Sequence, residues 1–249
     1  MLILIGAYFL SLIPGILLLI WLAKQNPEEP EYSRSFKQAV KYGLLSPIPV
    51  VLSSALLALF KNLVLHGLPG MPGIAYTHFF LHAFTEELWK FLLAYMVLKK
   101  CAYKSSWRDF TVFAVVVALG FEFMESILYA FESNITQMAV RGLTLMHAGF
   151  AYIAGKYYGK AKATGNVFNY VIAFLVPFLL HGLYDFTLQE EVLALNDNLV
   201  FVPVTIAMFA VVLLVRMILF FRKAQKEEIY TRAIFPAAEE TSYESVKPE

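Results

Sequence analysis

Seven runs in this chain are apolar over the length that crosses a bilayer as a helix, about 17–25 residues each. They are Leu2–Leu22, Leu44–Leu65, Thr77–Leu98, Phe110–Ala130, Gly142–Tyr158, Phe168–Phe186 and Leu199–Phe221. Such a pattern leaves few folds open. Hydrocarbon offers the backbone no water to bond, so each crossing must close its own hydrogen bonds as a helix. The expected fold is all-α, a polytopic integral membrane protein of about seven transmembrane helices forming one domain over residues 1–224. Composition agrees, with 59% hydrophobic and 16% charged residues, against roughly 45–50% and about 25% in soluble domains. Residues 225–249 are polar enough to form a disordered tail.

Basic residues orient the runs. Lys24, Arg34, Lys37 and Lys41 follow the first, Lys99, Lys100, Lys104 and Arg108 the third, and Lys156, Lys160 and Lys162 mark the end of the fifth. The tail opens with Arg222, Lys223, Lys226 and Arg232, whereas the opposite connections hold only Lys61 and Arg141. The positive-inside bias predicts an outside N-terminus and a cytoplasmic C-terminus in a multi-pass protein of the cell membrane. The first run has no basic lead-in and no small-residue cleavage site, so it reads as an anchor. Between the runs, QNPEEPEYSRS reads as a charged loop and HGLPGMPG as an outer turn. Cys101 is the sole cysteine, which excludes an internal disulfide and any multi-cysteine metal motif. A net charge of +1 gives no signal for nucleic acid. The partner expected from this composition is the lipid bilayer.

Ionisable side chains interrupt four of the runs. The third carries Glu86, Glu87 and Lys90, the fourth Glu122 and Glu125, the fifth His147 with Arg141 just before it, and the sixth His181 and Asp185. Charges at such depth cost a few kcal/mol each and mark functional sites by default. Counted from the cytoplasmic ends at about 1.5 Å per residue, Glu86, Glu122, Glu125, His147 and His181 all lie roughly 16–22 Å deep. Antiparallel helices thus bring them to one slab. Glu86 and Lys90, Glu122 and Glu125, and His181 and Asp185 are spaced to share a helix face. One cavity can therefore receive them all.

Carboxylates beside histidines suit the activation of water. A carboxylate supplies the base, and an imidazole donates to a developing oxyanion or passes a proton on. Glu86, Glu125, His147 and His181 are equally the donor types of a catalytic zinc, although no HExxH occurs. A proton- or cation-coupled transporter is the rival, since carboxylate and histidine relays also mark such pathways. His66, His78 and His82 read as structural, and Ala151, Gly155 and Gly159 as a small ladder for close helix packing.

Four motifs in order carry a resemblance to a known family. They are Glu86-Glu87-Leu-Trp-Lys90, Phe121-Glu122-Phe-Met-Glu125, Arg141 ahead of His147, and His181-Gly182-Leu-Tyr-Asp185. The set resembles the PrsW family of intramembrane proteases, related to the CAAX-prenyl endopeptidase and ABI membrane proteases. Pro27, Glu28, Glu29 and Pro30 after the first run fit the same family, while Ser126 stands where it usually has asparagine. The resemblance implies an intramembrane endopeptidase of glutamic type, with Glu86 and Glu125 activating water and His181, with Asp185, holding the oxyanion. His147 would assist, Glu87, Lys90 and Glu122 would set charge and geometry, and Arg141 would support the site from the membrane interface. The implied substrate is a single-pass membrane protein such as an anti-sigma factor in stress signalling.

Overall fold

Every residue from Trp107 to Glu122 is buried, and the other helices are arranged around that segment. The structure is a computed structural model and describes residues 2–26, 29–101, 105–131, 142–224, 226–227 and 233–235. Arg141, Pro27, Glu28 and most of the polar tail lie outside the described residues.

The helices, in chain order, are α1 (Leu2–Leu22), α2 (Tyr32–Leu45), α3 (Pro47–Leu63), α4 (Gly70–Tyr76), a π-helix (Thr77–Phe84) and α5 (Thr85–Lys99). Then follow α6 (Trp107–Phe131), α7 (Met146–Thr164), α8 (Phe168–Thr187), α9 (Glu190–Leu193), a 3-10 turn (Asp197–Val200) and α10 (Phe201–Ala224). One antiparallel pairing joins β1 (Ser105–Ser106) to β2 (Ala233–Phe235). It holds three residues of the tail that was expected to lack structure.

Each apolar run is matched by helix, with instructive differences. Among the described residues, four helices are long and apolar enough to cross a membrane: Tyr32–Leu63, Trp107–Ile127, Phe168–Thr187 and Asn198–Ala224. Tyr8–Leu22 is a shorter apolar helix. The third and fifth runs fold as helix but carry the polar residues of the site. The second begins at Tyr32, well before the expected Leu44. Tyr32, Ser35, Ala39 and Gly43 are its buried residues, and their spacing of three and four makes one helical stripe. Pro47 stops no helix, because proline at a first helical position loses a donor that is unpaired there anyway. The chain passes through Ser46 and continues as α3.

Local chemistry fixes the ends of the central helices. Ser106 and Asp109 form a capping box ahead of α6: the Ser106 amide donates to Asp109 Oδ2 at 2.9 Å, and the Asp109 amide to Ser106 Oγ at 3.2 Å. Gly165 closes α7 with φ of 70°, its amide donating to the Ala161 carbonyl at 2.8 Å. Glycines also let α6 approach its neighbours. Gly43 and Gly120 meet backbone to backbone between α2 and α6, and Gly155 and Gly159 seat α7 on Thr111 and the Trp107 ring. The small ladder does serve close packing. Outward faces are apolar, as Leu52, Leu56 and Met208 show, each more than 60% exposed. A lipid-facing surface has that character.

Candidate active site

The third run is not a uniform α-helix. Its first half is the π-helix, in which amides reach back five residues instead of four, a form often found at functional sites. The Leu81 carbonyl there accepts the Thr85 hydroxyl at 2.6 Å and the Ser54 hydroxyl of α3. Ser54 and Thr85 also lie 3.0 Å apart, Oγ to Oγ1. Trp89 Nε1 donates to Ser53 Oγ at 3.1 Å. These bonds fasten the start of α5 to α3 and fix the direction in which Glu86 and Glu87 leave the helix.

Glu86, Glu87, Lys90, His147 and His181 are all buried, each under 10% exposed. Lys90 Nζ donates to Glu87 Oε1 and lies 2.9 Å from His147 Nδ1 and 3.8 Å from Glu86 Oε2. An ammonium has only donors, so Nδ1 of His147 is the acceptor. Its proton is then on Nε2, which donates to Glu125 Oε2 at 2.8 Å. His181 Nδ1 sits 2.9 Å from Glu87 Oε1, while its Nε2 faces Asp185 Oδ2 at 3.3 Å and Glu86 Oε2 at 3.6 Å. The Glu87–Lys90 pair thus holds each imidazole by Nδ1, and both Nε2 atoms turn toward carboxylates. The two rings are 5.0 Å apart between centroids. Phe121 backs them, its ring edge-on to His147 at 5.2 Å and 4.8 Å beneath Lys90 Nζ.

His147 enters from an unusual backbone. Leu145, two residues before it, has φ of 44°, a left-handed conformation that costs a non-glycine residue about 1–2 kcal/mol. His181 depends on its neighbour Gly182, whose missing side chain admits the Phe79 ring of the π-helix. Glycine in the HGLYD motif therefore lets α8 close on the π-helix.

A cavity of about 540 Å³ opens beside the cluster. Val51, Ser54, Ala55 and Ala58 of α3 line it together with Glu86 and Glu125. The structure thus brings together Glu86, Glu87, Lys90, Glu125, His147, His181 and Asp185. Glu122 is buried three residues before Glu125 and takes no part in the bonds described above. Ser54, Thr85 and Phe121 were not expected as site residues. A serine in an apolar helix gives no periodic signal, so a structure was needed to find Ser54.

The residues present fit a metal ion. Donor atoms of Glu86, His147 and His181 lie within 4.8 Å of one another, and Glu86 Oε2 is buried with no hydrogen-bond partner among the described residues. Two imidazoles and a carboxylate are a donor set of catalytic zinc, and a histidine held at Nδ1 by a carboxylate, as His181 is by Glu87, is the usual outer-shell arrangement. His181 fits once an ion takes the place of the Nε2 proton that faces Asp185. His147 fits as its other tautomer, with the proton moved from Nε2 to Nδ1 and Lys90 turned wholly to Glu87. Glu125, expected among the ligands, is outside this group of three and bonds His147 instead.

A helical membrane protein with a buried glutamate–histidine centre open to a cavity belongs to the class of multi-pass membrane proteins that carry a polar site within their helices. Residues 39–219 match the PrsW family intramembrane metalloproteases, and the chain belongs to that family of proteases. It is 37% identical over 115 residues to the Protease PrsW of Oceanobacillus iheyensis, covering 45% of this chain and 54% of that protein. Against the Protease PrsW of Geobacillus kaustophilus the identity is 30% over 182 residues, 72% of this chain and 77% of the relative. Against that of Clostridioides difficile it is 26% over 197 residues, 74% and 79% of the two chains. The first alignment thus spans about half of its relative's length. No solved structure matches the chain.

Proposed function

We propose that this chain is an intramembrane endopeptidase that hydrolyses a peptide bond of a membrane protein by a glutamate-based, metal-assisted mechanism. The observation that carries this reading is that Glu86 and Glu125 face one cavity, with two histidines anchored behind them. The small residues of α3 leave room for an extended substrate segment in that cavity. Family membership disfavours the transporter alternative.

Glu86, His147 and His181 would hold the metal, zinc by the character of the donors. When bound it would polarise the scissile carbonyl and make water a nucleophile near neutral pH. Glu125 stands at the cavity wall, where it takes the proton of the attacking water and returns it to the leaving amine. His181, held at Nδ1 by Glu87, would present Nε2 to that ion beside Asp185. Glu87 and Lys90 neutralise each other, which leaves Glu86 and Glu125 as the acidic groups at the cavity.

In this reading seven helices cross the membrane, with the N-terminus outside and the tail in the cytoplasm. The substrate is a single-pass protein cut in the outer half of the bilayer, an anti-sigma factor being the first candidate. The test is cleavage of candidate single-pass proteins by the reconstituted chain and by Glu86→Gln. Loss of cleavage in a folded variant is expected, and unchanged turnover overturns the assignment.

A further inference from the structure

A second group of metal-binding side chains lies next to the first. His78 and His82 stand four residues apart on the π-helix, and Asp185 meets them from α8. One donor atom from each lies within 4.8 Å of the others. The two imidazole centroids are 5.1 Å apart, with the rings almost perpendicular. The Phe79–Gly182 contact explains the meeting. His78 precedes Phe79 in the chain and Asp185 follows Gly182 by three residues, so close packing there carries both to one edge.

Two further observations point to a ligand. His78 Nδ1 is buried and has no hydrogen-bond partner among the described residues, an expensive state for a ring nitrogen. The three side chains also line a cavity of about 450 Å³ that they share with Glu190 and Glu191. Carboxylates at its wall raise the local concentration of cations. A histidine serving only to hold helices together would bond a neighbour through that nitrogen.

We propose that His78, His82 and Asp185 form a second cation site, for a divalent transition ion of the zinc class, that clamps the π-helix to α8. Two imidazoles with one carboxylate favour zinc-like ions over magnesium or calcium, which prefer oxygen ligands throughout. The site adjoins the central one on two sides. His82 also lines the cavity that holds Glu86 and Glu125, and Asp185 is 3.3 Å from His181 Nε2. An ion held here fixes the wall common to both cavities and draws Asp185 away from His181.

The test uses the full chain in detergent, stripped of metal and dialysed against Zn²⁺, with Co²⁺ absorption as a second probe. Wild type should bind one equivalent more than the His78→Ala/His82→Ala double variant. The same difference should persist in a Glu86→Gln background, which separates this site from the central cluster. His82→Ala alone alters an exposed side chain, so folding is preserved. In the Glu86→Gln background it should weaken Zn²⁺ binding by roughly 10–100-fold or more and abolish the Zn²⁺-dependent rise in unfolding temperature expected of the parent. Equal stoichiometry and affinity with and without His82→Ala in that background would overturn the proposal.

Discussion

Glu125 accepts a hydrogen bond from His147 Nε2 at 2.8 Å, and this contact joins α6 to α7 at the wall of the cavity. It makes the direction of the Glu125 carboxylate depend on His147, and through Nδ1 on Lys90. Glu125→Gln keeps the shape of that contact and removes the base. The expected result is a fall in kcat of about 10²–10⁴-fold with KM little changed, read from cleavage progress curves. A variant within threefold of wild type would show that Glu125 is not the base.

Chelation addresses the metal reading. Incubating the reconstituted protein with a strong chelator should abolish cleavage, and Zn²⁺ should restore it. His181→Ala should resist that rescue because one of the three donors is gone. Full activity after verified metal removal would leave Glu86 and Glu125 as a metal-free pair.

Lys90 is set against Glu87 in a buried site. Lys90→Met strands the carboxylate, a change that costs about 3–5 kcal/mol when one partner of a buried pair is removed. The double variant Lys90→Met/Glu87→Gln should recover most of that loss, since both charges leave together. Denaturant or thermal unfolding in detergent measures both, and equal stability of the single and double variants would contradict the pairing.

Gly43 and Gly120 touch through their backbones, and a Cβ at Gly43 meets the Val117 carbonyl. Gly43→Ala should therefore destabilise by about 1–3 kcal/mol, the usual cost of overpacking. Gly6→Ala, where nothing lies within 4 Å, should leave stability unchanged or raise it by up to about 1 kcal/mol, the helix preference of alanine over glycine. The comparison of the two unfolding midpoints isolates the α2–α6 contact from a general effect of alanine.

Ala55 faces the cavity but belongs to none of the polar bonds. Ala55→Trp should fill the space beside Glu86 and lower kcat/KM by roughly tenfold or more, corresponding to at least about 1.4 kcal/mol. Zn²⁺ binding should be unchanged. Undiminished cleavage would show that substrate does not enter beside α3.

The sequence made the helices legible because a bilayer demands apolar length, and it made the charged residues legible because they violate that demand. Glu86, Glu87, Lys90, Glu125, His147, His181 and Asp185 could all be found that way. The start of α2 was hidden because Arg34, Lys37, Gln38 and Lys41 make that stretch too polar to read as a span. The π-helix was hidden because it differs from α only in which carbonyl an amide reaches. His78 and His82 passed as structural because their partner, Asp185, lies about a hundred residues on and is brought near by a glycine contact that no local pattern announces. Arg141 lies outside the described residues.

A π-turn is what an α-helix becomes when one residue is inserted without breaking it. Thr77–Phe84 therefore records a frame in which everything from Thr85 onward is rotated relative to a regular continuation of α4, by about 100° for each residue added. Deleting a single residue there would leave the composition and apolar length of the span almost untouched. It would nevertheless aim Glu86 and Glu87 at a different neighbour, so their address in this protein is an angle as much as a position.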